Sequence, residues 1–463
     1  MKKRIYSMMI AAALCGSAVA DGFKTAGDGT VYSLDKLSEI EAANVYKYVD
    51  EDDGEIIYVM YENDTIAAGD SFVMDDGVTL QFDDEVTLVI EGQGDFRLEK
   101  GSVFDSAFDD YADVSPMGVH ITGGDSQTEF VNCQFYYVGL KCTSPHGLSL
   151  RNCGFYNNNG AMGQAALTLG PSGAPFVVED CSFEYGKKPA IAGAANYYNP
   201  LTIKNCTFKH NALLNKNTPQ LNLTVASSVT IDGCEIIGDT DLTMVGGIGI
   251  SNFSAVEGTH ITIKNCHIAD NRYGIGTVGP MDIRIEGNTL QDNRYETNAM
   301  NGGSGISLYD PYQKTTAVIA RNTISGNLWG VTVIGCKDVN MGQPTRSDIQ
   351  TPGLNVFNSN GNGGVLYDLY NNSSNKIYAQ NNTWGVGEQT EEQIETVIFH
   401  KVDDESLGEV IFMPAANTNG IGGTIRTTDK TAASVYDLAG RQRTKKNVIY
   451  KIGVVHGQKM LVR

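Results

Sequence analysis

The feature of this sequence that most constrains its fold is a short phrase that recurs between residues 130 and 324. Apolar and other residues alternate in each copy with a period of two, which is typical of a β-strand. Asn, Asp or Gly interrupts the alternation, and these residues tolerate the left-handed backbone of a sharp bend. The sequence therefore predicts stacked coils, each with two short strands joined by a one-residue bend. The copies are LSLRNCGF (148–155), FVVEDCSF (176–183), LTIKNCTF (201–208), VTIDGCEI (229–236), ITIKNCHI (261–268) and IRIEGNTL (283–290), with shorter copies FVNCQF (130–135) and VIARNTI (318–324).

When the copies are aligned on the bend, they form columns that run along the stack. Three apolar columns predict one continuous core. A polar column, three residues beyond the last apolar position, consists of asparagine and predicts a ladder of side-chain amides that bond from coil to coil. Its members are Asn158, Asn211, Asn271, Asn293 and Asn327.

One outward column alternates in charge. Opposite charges on neighbouring strands stabilise their pairing by about 0.2–1 kcal/mol, so this column predicts an ion-pair ladder on the surface. In chain order the column holds Arg151, Glu179, Lys204, Asp232, Lys264 and Glu286.

A further strand per coil is visible downstream, and its outward side chains are small. Its copies are GIGIS (247–251), GIGTV (274–278), GISLY (305–309) and GVTVI (330–334). The outward column of Gly249, Gly276, Ser307 and Thr332 predicts a flat face. A flat face suits an extended ligand or a covering segment, and a bare sheet surface is the alternative.

Cysteine usage and acidic runs bear on metals and disulfides. Six of the eight cysteines beyond residue 20 share one repeat column, so we expect buried thiols, because cysteine packs as a small apolar residue. Disulfides remain the alternative, since a rung spacing of about 4.8 Å lies within their Cα range. No zinc-type spacing occurs, and DEDDGE (50–55) falls short of a calcium loop. We therefore predict no metal site and no cofactor, with calcium left open.

Charge is concentrated near the N-terminus. The chain carries −20 at pH 7, and residues 21–115 alone hold 25 acidic and 5 basic residues. Such a surface repels nucleic acid, so we predict no nucleic-acid partner. The only long apolar run lies within residues 1–20, so we expect no transmembrane segment in the rest of the chain. This run follows three basic residues and precedes Ala18-Val19-Ala20, a pattern that predicts a signal peptide.

The coils and the asparagine column resemble the right-handed parallel β-helix proteins of the pectate-lyase-like superfamily, over roughly residues 57–413. The resemblance implies an all-β, right-handed parallel β-helix solenoid with an N-terminal cap, and it implies a polysaccharide as partner. The stretch NNTWG (381–385), followed by LGEVIFMP (407–414), is similar to the closing coil of secreted members. The polygalacturonase-like and pectate-lyase-like catalytic motifs are absent from the coils.

The C-terminal segment carries a second resemblance. SVYDLAGRQ (434–442) and VIYKIGVVHGQKMLVR (448–463) are similar to the C-terminal sorting domain of type IX secretion cargo, although Val448 stands where that pattern usually has Gly. This implies the type IX secretion machinery as a partner, in a Bacteroidota-type bacterium, and an exported protein at the cell surface or outside the cell. We therefore divide the chain into a signal peptide (1–20), an acidic cap region (21–56), the β-helix (57–414), a linker (415–431) and a small β sorting domain (432–463).

The stretch LYDPYQ (308–313) supplies catalytic candidates. It is similar to the D-P-H-D site of alginate-epimerase-like β-helices, where Asp310 and Pro311 match, but Tyr312 and Gln313 replace His and Asp. The missing His is the proton-transfer group, so only Asp310, Tyr309 and Tyr312 remain as catalytic candidates. The alternative is an ordinary turn that contains proline.

Aromatic and basic residues around this turn are the ligand-binding candidates. Aromatic rings stack on sugars, and arginine pairs with carboxylates or sulfates. These candidates are Arg272, Tyr273, Arg294, Tyr295 and Trp329, with Tyr197-Tyr198 as a second aromatic site. Ordinary loop packing is the alternative.

Three functions remain open at this point. The favoured one is a binding protein for polysaccharide or a host surface glycan, without a catalytic set. The others are a divergent polysaccharide lyase or epimerase, and a structural component of the cell envelope.

Overall fold

A computed structural model describes residues 22–50, 54–108, 114–193, 200–225, 227–255, 257–296, 298–343 and 352–416, and four short strands between residues 435 and 462. The chain divides into two units, residues 1–416 and residues 417–463. The first unit is a right-handed parallel β-helix, as predicted. The predicted signal peptide, the Tyr197-Tyr198 pair and residues 51–53 of the DEDDGE run lie outside the described residues.

Each coil contributes strands to three stacks, here named sheets 1, 2 and 3. Sheet 1 precedes the predicted bend, and sheet 2 follows it. Two long strands, Gln93–Ser106 and Thr128–Tyr136, run through both. The remaining strands of sheet 1 are Val31–Tyr32, Ser71–Val73, Leu148–Arg151, Phe176–Glu179, Leu201–Lys204, Ser228–Asp232, His260–Lys264, Asp282–Glu286, Thr316–Ala320, Asp338–Gly342, Ile377–Ala379 and Val410–Ile411.

Sheets 2 and 3 complete the coils. Sheet 2 comprises Ile56–Met60, Thr79–Phe82, Gly154–Tyr156, Ser182–Glu184, Thr207–Lys209, Glu235–Ile237, His267–Ala269, Thr289–Gln291, Thr323–Ser325 and Val356–Asn358. Sheet 3 comprises Asp64–Ile66, Thr87–Ile90, Gly118–Ile121, Gly139–Cys142, Leu167–Leu169, Ile191–Gly193, Pro219–Thr224, Gly246–Ser251, Ile275–Val278, Ser304–Tyr309, Trp329–Ile334, Leu369–Asn372 and Ile398–Phe399.

The bends between sheets 1 and 2 are left-handed, as the repeat predicts. Each predicted bend residue has a positive φ, between 51° and 69°. Asn, Asp and Gly adopt this conformation at the lowest cost, which explains why they recur there. The residues are Asn152, Asp180, Asn205, Gly233, Asn265 and Gly287.

The inward columns form the predicted core. In the first apolar column after the bend, the type of side chain changes along the chain. Neighbouring phenylalanine rings stack in the N-terminal coils, with centroids 4.4 Å apart for Phe135 and Phe155 and 4.7 Å apart for Phe155 and Phe183. Aliphatic side chains occupy this column from Ile236 to Ile324, Phe357 follows, and all of them are buried.

The cysteines of the described coils are free and buried, so the expectation of buried thiols is confirmed. Each repeat-column thiol donates to the carbonyl oxygen two residues earlier, as Cys206 does to Lys204 at 3.2 Å. From Asn288 onward the same column holds asparagine. Its amides form a second ladder that we did not predict, through Asn288, Asn322, Asn355 and Asn382.

The predicted asparagine ladder is present in the C-terminal coils. Asn271 donates to Asn293, Asn293 to Asn327, and Asn327 to Asn360, with N···O distances of 3.0–3.1 Å. Asn211 joins the ladder through Gln220, which bridges it to Asn271. Asn158 instead donates to the backbone oxygen of Val138.

The charged column has the predicted register, since its six members occupy partner positions on successive strands. Ion pairs form between Arg151 and Glu179 at 3.8 Å, and between Lys264 and Asp232 at 3.3 Å. Glu286 pairs with Arg284 and Arg321 instead of Lys264.

Short elements flank the coils. A short helix in the N-terminal cap region is Leu34–Ser38, and its N-cap Ser33 accepts a hydrogen bond from the backbone of Lys36. A second helix, Glu391–Glu395, precedes the last strand of sheet 3. Val45–Val49 pairs antiparallel with Ile56–Met60, and Gly361–Asn362 pairs with Val365–Leu366.

The second unit contains two antiparallel strand pairs. Val435–Tyr436 pairs with Gln442–Arg443, and Lys451–Val455 pairs with Gln458–Val462. These strands lie within the predicted sorting domain (432–463), whose role in secretion stays a prediction. Across the described parts of the chain, the helices are too short or too polar to cross a membrane.

Candidate ligand-binding groove

The C-terminal half of sheet 3 carries an open groove of about 760 Å³ on its outward face. Seven strands form its floor, from Pro219–Thr224 to Ile398–Phe399. At a strand spacing of about 4.8 Å, the floor is about 29 Å long. The central outward column is the one that the sequence predicts as flat, extended at both ends: Asn222, Gly249, Gly276, Ser307, Thr332, Tyr370 and Phe399.

Tyr273 lies across the glycines of this floor. A Cβ atom at Gly246 would meet the Tyr273 ring at 2.2 Å, and one at Gly276 would meet it at 2.9 Å. A side chain at either position would therefore displace the ring. Burial raises the pKa of Tyr273 to about 12. The ring is thus a neutral platform at physiological pH.

An aromatic cluster lines one end of the groove. The ring of Trp329 lies 4.5 Å from that of Tyr367 and 5.6 Å from that of Tyr370, centroid to centroid. Phe399 packs edge-on against Tyr370. Burial raises the pKa of Tyr370 above its ordinary value. Rings of this kind present apolar faces on which a sugar can stack.

Loop 298–303 forms a wall of the groove, and two side chains hold it. The Trp329 indole N–H donates to the carbonyl oxygen of Ala299 at 2.8 Å. Arg272 donates to the carbonyl oxygen of Asn301 and to the side-chain oxygen of Asn217 on a neighbouring loop. Arg272 is only 8 % exposed and does not line the groove. Its hydrogen bonds therefore link loop 298–303 to the loop that contains Asn217, beneath the surface.

The groove is electrically neutral. None of the described residues that line it is Asp, Glu, His, Lys or Arg. Its polar groups are amides and hydroxyls, and two of them, the hydroxyls of Ser304 and Thr332, bond to each other at 3.0 Å. Such groups can donate and accept hydrogen bonds, and none of them carries a charge at neutral pH.

Asp310, the main catalytic candidate, is fully buried in the turn that follows strand Ser304–Tyr309. Its carboxylate accepts hydrogen bonds from the backbone N–H groups of Tyr312, Lys314 and Thr315, at 2.6–2.9 Å. These bonds orient the carboxylate inward and satisfy both of its oxygens. The arrangement matches the turn alternative, and the carboxylate does not reach the groove.

The structure brings together three of the sequence-predicted site residues. Tyr273, Tyr309 and Trp329 line one groove, and Tyr309 is 41 % exposed. Tyr312 is 55 % exposed on the neighbouring turn but does not line it.

Two further candidates lie after a strand of sheet 2, away from the groove lining. Arg294 pairs with Asp292 at 3.2 Å. The hydroxyl of Tyr295 donates to the carboxylate of Asp270, also at 3.2 Å. Both side chains are therefore engaged with neighbouring acids.

Four further aromatic residues line the groove without having been predicted from the sequence: Phe253, Tyr367, Tyr370 and Phe399. Tyr370 and Phe399 continue the small outward column after Thr332. A signal was present, because LYNN (369–372) follows the same strand pattern. Because a long irregular segment separates Ile334 from Leu369, the sequence does not show that Tyr370 aligns with Thr332.

Two other features of the surface are weaker candidates. A depression of about 1030 Å³ lies beside loop 298–303, but its lining is mainly the tips of the 358–366 loop and contains no aromatic ring. Within the described ranges, no three His, Cys, Asp or Glu side chains come together as metal ligands.

The family model and the first solved structure below agree with the β-helix fold. The family model described as right handed beta helix region matches residues 66–224. A single-residue variant of the periplasmic alginate epimerase AlgG covers 83% of this chain and 83% of its own, at 12% identity and a TM-score of 0.51. Tailspike protein 3 of bacteriophage CBA120 covers 88% of this chain and 61% of its own, at 11% identity and a TM-score of 0.32. A search of the curated proteins found no match.

Proposed function

We propose that this protein binds a polysaccharide chain along the outward face of sheet 3, and that it acts as a binding protein rather than an enzyme. The observation that carries the proposal is the groove itself. It is long and open, aromatic rings line its floor and one end, and its polar groups are amides and hydroxyls. A sugar offers apolar ring faces and hydroxyls, which these groups complement.

The orientation of the groove favours an extended, linear ligand. Its floor repeats once per coil, since the same outward column recurs on seven successive strands. The strand spacing of about 4.8 Å is close to the length of one sugar unit in a linear polymer. Successive sugars can therefore meet equivalent surroundings on successive coils.

An enzymatic role has less support. Epimerases and lyases need a positioned base, and hydrolases need paired carboxylates. Asp310 is engaged in its turn, and the raised pKa values of Tyr273 and Tyr370 keep both phenols protonated, so that neither serves as a base. AlgG is an epimerase of alginate, but a likeness at 12% identity concerns the fold, and one fold hosts many functions.

The proposed site of action is outside the cell. The signal-peptide pattern of residues 1–20 and the sorting-like tail support export through the type IX machinery. A glycan-binding β-helix at the cell surface fits both resemblances. Immunolabelling of intact cells, with and without the tail residues 432–463, tests this part of the proposal.

The test of binding uses the purified full chain and resins that carry neutral or acidic polysaccharides. Retention is measured together with reducing ends, unsaturated uronate absorbance and the proton NMR spectrum of the polymer, because epimerisation releases no ends. We expect retention without product. Tyr309→Ala should weaken retention about tenfold, Tyr309→Phe should preserve it, and Tyr312→Ala is the matched exposed control that should change nothing.

Two results would contradict the proposal. Product from any polymer would support the lyase or epimerase alternative. Failure of every resin to retain the protein would support the structural cell-envelope alternative.

A further inference from the structure

We infer that the groove selects neutral glycans and discriminates against uronate-rich or sulfated ones. This inference rests on the proposed function and names its ligand class. The observation behind it is that no charged side chain occurs among the described residues of the lining. The lining is uncharged, whereas the chain as a whole carries a net charge of −20.

An anionic polymer would lose water in this groove without gaining a cationic partner. Burial of an unpaired charge is costly, and sites for carboxylates or sulfates usually supply arginine or a metal ion. The two arginines predicted to serve this purpose are already engaged. Arg272 is buried and bonds to Asn217 and Asn301, and Arg294 pairs with Asp292.

The neutrality of the groove is a local property of sheet 3. In the N-terminal half of the same sheet, the outward column includes His120 and Lys141, which are neighbours on adjacent strands. From Ala192 onward the column continues with Asn222 and then with the groove floor. Burial lowers the pKa of His120 to about 4, so Lys141 carries the charge in this stretch of the column, and it lies before the groove begins.

The groove also offers what a neutral glycan needs. Tyr273, Tyr309 and Trp329 present ring surfaces, while Asn222, Asn301 and Asn372 present amides. Each amide can both donate to and accept from sugar hydroxyls. Binding of this kind depends little on salt, because no ion pair forms between ligand and protein.

The test uses polymers that share a backbone and differ in charge. Hydroxyethyl cellulose is compared with carboxymethyl cellulose, and dextran with dextran sulfate, by affinity electrophoresis of the full chain. We expect the neutral member of at least one pair to bind, with a less than about twofold change in affinity between 20 mM and 500 mM NaCl. Its anionic partner should bind at least about tenfold more weakly.

A charge variant sharpens the test. Ser307 lies at the middle of the floor, so Ser307→Lys should improve the binding of the anionic partner about tenfold at low salt, and Ser307→Asp should not. Tighter binding of the anionic member by the unaltered protein would overturn this inference and leave the proposed function standing. Binding of neither member in any pair would contradict the proposed function, and the inference with it.

Discussion

The two halves of the β-helix build the same coil from different side chains. In the N-terminal coils, cysteine follows the bend and phenylalanine rings stack in the core. In the C-terminal coils, asparagine takes the cysteine position from Asn288 onward, and aliphatic residues occupy the phenylalanine column up to Ile324. The neutral groove begins over the coils of Cys206, Cys234 and Cys266 and continues over the asparagine coils.

The difference shows two ways to join successive coils. A thiol is a weak donor, so the N-terminal coils depend mainly on stacked rings and apolar burial. An amide donates and accepts, so each asparagine links its own coil to the next. Two such ladders run beneath the coils that form the groove, through Asn288 and Asn322 in one and Asn293 and Asn327 in the other. We interpret the ladders as the support that keeps the floor regular.

The largest expected effect is that of Asn322→Ala. The Asn322 oxygen accepts two hydrogen bonds from Asn288, and its amide nitrogen donates to Asn355 and to the backbone of Ile285. The substitution leaves these buried groups unpaired, at a cost of about 3 kcal/mol in the free energy of unfolding. Urea unfolding measures this value, and a loss below about 1 kcal/mol would contradict the role of the ladder.

The next effect concerns pH and Asp368, which lies at the end of the ladder that contains Asn327 and Asn360. Asn360 and the backbone N–H of Gly385 donate to Asp368, but burial is the larger influence and raises the Asp368 pKa from 3.8 to about 6. A raised pKa in the folded state stabilises the fold at low pH, and this contribution is lost as pH rises through 6. Between pH 4 and pH 7, the stability of the protein relative to Asp368→Asn should fall by about 2.5 kcal/mol.

The comparison with Asp368→Asn isolates one carboxyl group. Burial also raises the pKa of Asp64 to about 6, but Asp64 titrates in both proteins and cancels from the difference. Unfolding of the two proteins in urea at several pH values gives the measurement. A difference that does not change with pH would show that Asp368 keeps an ordinary pKa.

A smaller effect is expected at the floor of the groove. In Gly276→Ala, the new methyl group would lie 2.9 Å from the Tyr273 ring and lift it from the sheet. We expect about a tenfold loss of affinity for the neutral polymer. Gly193→Ala is the matched control, because it lies on a strand of sheet 3 outside the groove, with its nearest contact at 3.5 Å. Equal affinities of the two variants would argue against the Tyr273 platform.

The smallest effect is expected in the cysteine column. Cys206→Ala removes a buried thiol whose hydrogen bonds are to backbone oxygens of Val178 and Lys204. The free energy of unfolding should fall by about 1 kcal/mol, well below the loss at Asn322. A loss as large as that of Asn322→Ala would remove the distinction between the two halves. Labelling of the native protein with a thiol reagent should also leave Cys206 unmodified, because it is buried.

The repeat made much of the fold predictable. A period of two fixed which side chains point inward, and the Asn, Asp or Gly before the cysteine fixed the bends, as at Asn152 and Gly233. The position of asparagine in the cysteine column was visible, but its ladder was not foreseen at Asn288 and Asn322. The pattern predicts the neighbouring ladder through Asn293 and Asn327, but a column that changes from cysteine to asparagine does not by itself show that its amides will meet.

The groove was only partly predictable for a similar reason. The small outward column was visible, and with it the flat floor. Tyr370 and Phe399 follow excursions of irregular length, so their alignment with Thr332 depends on the folded path of the chain. The sequence of the turn at Asp310 also leaves open which way the carboxylate points. In the structure three backbone N–H groups hold it inside.

The most direct test of the central claim is a crystal structure of the full chain with an oligosaccharide prepared from the neutral polymer that binds best. Our account predicts a sugar chain along the outward column of sheet 3, over Gly276 and Ser307, with rings against Tyr309 and Trp329. Sugar bound elsewhere, at the Asp310 turn or beside Lys141 in the N-terminal half, with an empty groove, would contradict it.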